Sequence, residues 1–167
     1  MVKEFIVIVF SENQIGVLNR ITACYLRRKI NIESLKVSES TIKGISMFVI
    51  SAFATEEIMD KTVKQISNII DVIEVKYYSE EELITQEVAL YKVPIKVLSE
   101  HTTMIADWKA RIVETSTSYV VLEATGTRAQ TCEFREYLQN KGLLMEFTRS
   151  GSIVMHRDDI NELLKGI

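Results

Sequence analysis

The stretch from Asn13 to Val37, NQIGVLNRITACYLRRKINIESLKV, decides how the rest of the chain is read. Val17, Leu18, Ile21, Cys24 and Tyr25 fall at i, i+1, i+4, i+7 and i+8, one stripe of a 3.6-residue helix that must face a core. Arg20, Arg27, Arg28 and Lys29 lie off the stripe or at its C-terminal end, where positive charge suits the helix dipole. The pattern predicts a helix over 16–29, entered by a turn and followed by a strand.

The start of that helix is the candidate site. Asn13 can cap or orient the turn, and Gly16 lets a ligand approach the backbone with no Cβ in the way. Unpaired N–H groups of a first helical turn point at whatever is bound there, and a small carboxylate is a natural guest. The same two residue types also serve as plain turn chemistry before a helix, so the local pattern leaves both readings open.

Outward from this stretch, Phe5 to Phe10 is continuously apolar and rich in β-formers, as in a strand covered by helices. On the other side Ile30 and Ile32 share one strand phase while Leu35 and Val37 share the other, which predicts a bulge near Ser34. Lys43-Gly44 turns the chain into a strand over 45–53. Thr55 caps a second helix whose buried stripe is Ile58, Met59, Thr62, Val63, Ile66 and Ile69, and a fourth strand runs over 70–77. The order βαββαβ in so short a segment is the ferredoxin-like arrangement, an antiparallel sheet with both helices on one face. The other face is expected to be open, and an apolar open face or edge predicts pairing with a second copy.

Residues 79–86, SEEELITQ, are polar and acidic and read as a linker. A second βαββαβ-like pattern follows: a strand over 88–97 with Pro94 at an edge or bend, a helix over 101–110 presenting Ile105 and Trp108, and strands over 111–115 and 119–124. Gly126 leads into a helix carrying Thr131, Phe134, Tyr137 and Leu138. Strands over 143–148 and 153–156 then flank a hairpin signal at Ser150-Gly151, and a short helix begins at Asp158. The fold class is α+β, two ferredoxin-like βαββαβ units in tandem.

Composition narrows function. The 167 residues are 47% hydrophobic with a formal charge of −3, which suits packed cores and gives no basic field for a nucleic-acid backbone or a membrane surface. No apolar run approaches the ~18 residues of a bilayer span, and the start MVKEFIVIVF lacks a signal-peptide cleavage site, so the expected location is the cytoplasm. Cys24 and Cys132 are expected to be buried, unpaired thiols on helical faces. An RNA-recognition motif shares the topology but needs stacking aromatics in a basic setting, absent around Met47, Phe48 and Val49. The two histidines, His101 and His156, are isolated from metal-ligand spacing, Glu80 to Glu82 read as a solvated charge run, and no phosphate-binding glycine loop or nucleophile elbow is present. Catalysis by this chain is not expected.

Asn13, Gly16, Val17, Leu18 and Arg20, followed by Arg28 and Asn31-Ile32-Glu33-Ser34-Leu35, resemble the N-terminal ACT domain of the small, regulatory subunit of acetolactate synthase (acetohydroxyacid synthase). That pattern runs approximately N-x-P-G-V-L-x-R and then R-G-x-N-I-x-S-L-x-V; Ile15 stands where proline is usual and Lys29 where glycine is usual. Gly126 and Arg149-Ser150-Gly151 match the family's C-terminal domain. The resemblance implies an ACT domain over 1–78 that binds effector and dimerises, a linker over 79–86, and a C-terminal ferredoxin-like domain over 87–167. It implies a non-catalytic subunit that binds a branched-chain amino acid, valine, and both activates and feedback-inhibits a catalytic large subunit in valine, leucine and isoleucine biosynthesis. Thiamine diphosphate, magnesium and FAD would belong to that large subunit, with no cofactor in this chain. Asn13, Gly16, Val17 and Leu18 of one copy would meet Asn31 and Ile32 of another around the effector. The competing expectation is a free-standing amino-acid sensor that never meets the synthase; a small enzyme on the same fold lacks a convergent acid–base set.

Overall fold

A computed structural model describes residues 1–157. Contacts divide the chain into two compact units, Met1–Ile84 with the described residues from Val154 on, and Thr85–Ile153. The first runs β1 (Lys3–Glu12), α1 (Val17–Arg27), β2 (Ile32–Glu39), β3 (Ile45–Ala54), α2 (Glu56–Ser67) and β4 (Val72–Tyr78). Its strands form an antiparallel sheet in the order β2-β3-β1-β4, the ferredoxin-like arrangement. Phe5, Val7 and Val9 of β1 and Phe48, Ile50 and Ala52 of β3 pack in one cluster with Val17, Ile21 and Tyr25 of α1 and Met59 and Ile66 of α2, so both helices lie on one face. The pairing of β2 with β3 shifts register between Ile32 and Ser34, the bulge that the change of phase required.

The second face of this sheet is not open, as the sequence had suggested. Ile6, Ile8, Phe10 and Val49 on that face are buried in a cluster with Tyr78, Leu83 and Val154. The turn that makes this possible lies in the stretch read as a linker. Glu82 accepts hydrogen bonds from the N–H and the hydroxyl of Ser79, both at 2.7 Å, and closes a capping box around a 3₁₀ turn, Glu80–Glu82. Residues 83–86 are then strand, with Leu83 and Thr85 buried and their neighbours exposed. Two of the three inward positions of 83–87 carry polar side chains, Thr85 and Glu87, so the alternation is invisible to a hydrophobicity reading.

That strand is β5 (Leu83–Pro94), and after it come α3 (Val97–Glu100), α4 (Thr102–Asp107), β6 (Arg111–Thr115), β7 (Tyr119–Gly126), α5 (Arg128–Asn140), β8 (Glu146–Arg149) and β9 (Ile153–His156). The sheet order is β6-β7-β5-β8, the same ferredoxin-like order, with β9 also paired to β5. Of the helix read over 101–110 only α4 is present, and α3 precedes it at Val97–Glu100, where the strand read over 88–97 has already ended at Pro94; His101, with φ −136° and ψ 39°, interrupts the helical ladder between the two pieces. Trp108 stacks on Phe134 with ring centroids 4.8 Å apart and planes 17° from parallel, and Phe134 packs on Tyr91, forming the aromatic centre of this core. Cys24 is buried as expected, whereas Cys132 is half-buried; both are free. The helix expected from Asp158 lies outside the described residues.

Candidate functional site

The residues from Asn13 to Leu18 connect the end of β1 to α1. Asn13 holds the turn through its backbone: its N–H donates to the carbonyl of Gly44, 2.9 Å away in the β2–β3 turn, and its side chain does not cap the helix. Gly16 occupies the position before the helix with φ 89° and ψ −8°, left-handed space that glycine enters at no steric cost. A Cβ built there meets nothing within 4 Å, so the approach to the backbone is open. No side chain caps α1, its first turn carries no acid, and among the described residues the N–H groups of Leu18 and Asn19 have no acceptor. The helix therefore starts as an uncompensated set of donors at the positive end of its dipole. Val17 is buried and anchors the turn to the core, while Leu18, one helical step round, is 38% exposed beside it.

The rest of the motif holds α1 in place. Arg20 pairs with Asp71 in the turn before β4, and Arg28 donates to the Gln65 side chain on α2. Cys24 is buried between these arginines, donates its thiol hydrogen to the Arg20 carbonyl at 3.4 Å, and burial pushes its pKa up, so it is a packing group and no nucleophile. Lys29 has φ 56°, which explains why glycine is usual there: it is the left-handed residue of a Schellman turn in which Lys29 N–H donates to Leu26 and Ile30 N–H to Tyr25. Ile15 is fully exposed, so the turn has neither proline's rigidity nor a buried side chain in its place.

Asn31 and Ile32 are elsewhere. Ile32 is level with Ala52 and so with Phe5 at the start of β1, whereas Glu12, at the end of β1, is level with Ile45. Seven residues of strand separate the two levels, ~23 Å at ~3.3 Å per residue. Within one copy the six candidate residues thus form two groups at opposite ends of one sheet. Asn31 is exposed and donates to Glu33, and Ile32 is half-buried against the helical core.

The edge between these two groups is free. β2 is the outermost strand, and Leu35 and Val37, which share the helix-covered face with their partners Ile50 and Phe48, are 37% and 45% exposed. On α1, Leu18, Thr22 and Leu26 recur every four residues on a second stripe, away from the one that lines the contact with α2; Leu26 is 76% exposed. Glu82, one of the acids of the charge run, is engaged at Ser79, and Tyr78 packs edge-on against His156 at 5.2 Å. Among the described residues no helix is long and apolar enough to cross a membrane.

Two family models match: an acetohydroxyacid synthase small subunit-like ACT domain over residues 7–74, and the small subunit of acetolactate synthase over residues 86–158. A probable acetolactate synthase small subunit from Methanothermobacter thermautotrophicus is 32% identical over 149 residues, 87% of this chain and 88% of that one. The acetolactate synthase small subunit of Haemophilus influenzae is 29% identical, with 93% and 96% of the two chains covered. The crystal structure of the small subunit from Thermotoga maritima superposes with a TM-score of 0.82 at 25% identity, covering 95% of this chain and 99% of that one. From sequence motif, domain order and fold together, the chain belongs to the family of acetolactate synthase small subunits and carries that family's ACT domain.

Proposed function

We propose that this chain is the regulatory subunit of an acetolactate synthase, binds valine between the ACT domains of two copies, and passes that binding on to a catalytic subunit that it also activates. The observation that carries the reading is the separation of the candidate residues. Pairing β2 antiparallel with β2 of a second copy sets the start of one strand beside the end of the other. Asn31 and Ile32 of the second copy then come to the end of the sheet where Asn13, Gly16, Val17 and Leu18 lie. The same pairing covers the free β2 edge and buries Leu35, Val37, Leu18 and Leu26.

In such a site the free N–H groups of Leu18 and Asn19 take the carboxylate, the asparagines take the ammonium group or orient the turn, Leu18 and Ile32 line the side-chain pocket, and buried Val17 anchors the turn beneath it. The chemistry of the reaction, with thiamine diphosphate, magnesium and FAD, belongs to the catalytic subunit. Valine acts by its difference in affinity for two arrangements of the small-subunit dimer on the enzyme, and the coupling is reciprocal.

The test is complementation between two defective copies in the reconstituted synthase. Gly16→Asp places a carboxylate where the ligand carboxylate binds, and Ile32→Asp places one in the apolar end of the pocket. Each alone is expected to shift the valine inhibition curve by about tenfold or more, the loss of one charge-assisted hydrogen bond, while activation persists. Mixed dimers of the two variants hold one intact site of two and regain part of the inhibition. A Gly16→Asp curve that stays with the wild type, or a mixture that regains nothing, defeats the shared site.

A further inference from the structure

The surface formed by α1 and α2 on the side away from the sheet shares only Asn19 with the site above. Between the helices lies a groove of about 500 Å³ lined by Arg20, Ala23, Cys24, Arg27, Gln65 and Ile70, among others. Ile70, in the turn between α2 and β4, is 91% exposed at its rim, although its immediate neighbour Ile69 is partly buried against the core. A β-branched apolar residue projecting into water gains nothing for the fold of this unit.

Charge marks the same place. Arg20 and Arg27 from α1 line the groove, Arg28 just after α1 donates to its lining residue Gln65, Lys64 precedes Gln65 in the last turn of α2, and Asp71, paired with Arg20, is the acid beside them. Arg28 is taken up by Gln65, but among the described residues the Arg27 guanidinium has no hydrogen-bond or ion-pair partner. A chain with a formal charge of −3 therefore concentrates positive charge around one exposed isoleucine. An arginine beside an exposed apolar anchor is the combination that dominates protein interfaces, with the charge steering encounter and the apolar group supplying affinity. Of the other apolar surfaces of this unit, the second sheet face is covered by Tyr78, Leu83 and Val154, and the β2 edge with the outer flank of α1 is given to the second copy in the reading above; Ile15, Phe53, Ile58 and Ile73 are also exposed but lie outside the groove.

We propose that the α1–α2 groove, with Ile70 as apolar anchor and Arg27 as cationic contact, is the docking surface for an acidic segment of the catalytic subunit. This rests on the regulatory-subunit reading. It places subunit docking on the helical side of the ACT unit, apart from both the β2 edge and the Asn13–Leu18 turn, so that effector binding and docking are separable by mutation.

The experiment uses the full chain and the purified catalytic subunit, with affinity taken from titrations of synthase activation at two salt concentrations. Arg27→Glu and Ile70→Asp are both exposed and are expected to fold. Each should weaken docking about tenfold or more while dimer mass and valine binding to the isolated small subunit stay as in the wild type. Lys141→Glu, the same change of charge on the other unit, should leave docking unchanged. Wild-type affinity should fall as salt rises, and that slope should be shallower for Arg27→Glu. If the wild type docks and both variants dock equally well, the groove is not the surface while the regulatory reading stands. If the wild type does not engage the catalytic subunit at all, both fall. Loss of docking together with loss of the dimer or of valine binding overturns the proposal, as does a groove that binds inorganic phosphate at millimolar concentration with no change in docking for either variant.

Discussion

Arg149 Nη1 lies 2.8 Å from Glu87 Oε2, and the Glu87 side chain is wholly buried. Its second oxygen accepts the Thr131 hydroxyl of α5, and Tyr91 donates to the Thr131 carbonyl at 2.8 Å, so one buried carboxylate ties β8, β5 and α5 together. Removing one partner strands a charge in the core. Arg149→Ala should cost about 3 kcal/mol, whereas replacing both partners, Glu87→Leu with Arg149→Met, should recover more than half of that. Urea unfolding of the three proteins gives the comparison, and equal stability of Arg149→Ala and the wild type would refute the buried-pair account.

Lys29 at φ 56° and Lys109 at φ 50° end α1 and α4 in the left-handed region, where Gly142 at φ 65° ends α5. Lys29→Gly should raise stability by about 1 kcal/mol and Gly142→Ala should lower it by a similar amount, because only glycine enters this region without a Cβ clash. The denaturant midpoints of both variants should move in opposite directions with unchanged slope.

Leu83 is 1% exposed in the cluster on the second face of the first sheet. Leu83→Ala should destabilise by about 2–5 kcal/mol, as for other buried leucines. A true linker leucine would give a change within ~0.5 kcal/mol, so calorimetry separates the two descriptions.

Tyr77 donates its hydroxyl to Asp60 Oδ1 at 2.7 Å, and this bond, ahead of burial and nearby acids, holds the phenol pKa up at about 12. The folded value lies above the unfolded one of about 10, so the contribution is fully present below pH ~10 and is lost as pH rises towards ~12. Tyr77→Phe should remove that part of the alkaline loss of stability. An unchanged alkaline limb in Tyr77→Phe would assign it to other groups.

What could be read from the sequence was local. The stripe of Val17, Ile21, Cys24 and Tyr25, the bulge before Ser34, the Lys43-Gly44 turn and the cap at Thr55 are all set by neighbours a few residues apart, and the structure has each of them. The start of α1 just after Gly16 was legible for the same reason, but of the two roles open to Asn13 the structure has only the turn, since its side chain does not cap the helix. What only the tertiary structure decided depends on contacts across the chain. Asn13 is held by Gly44 through the backbone, which no side-chain pattern reports. Leu83 looked like part of a linker because the partners that bury it, among them Ile6, Phe10 and Val154, are remote in sequence. The burial of Glu87 could not be read from its neighbours, because its arginine stands 62 residues away. The distance between Asn31 and Asn13 was set by the antiparallel pairing of β2 with β3 and β3 with β1, and strand order is a property of the whole sheet: side-chain periodicity tells which face a residue occupies but carries no information about which strand lies beside it.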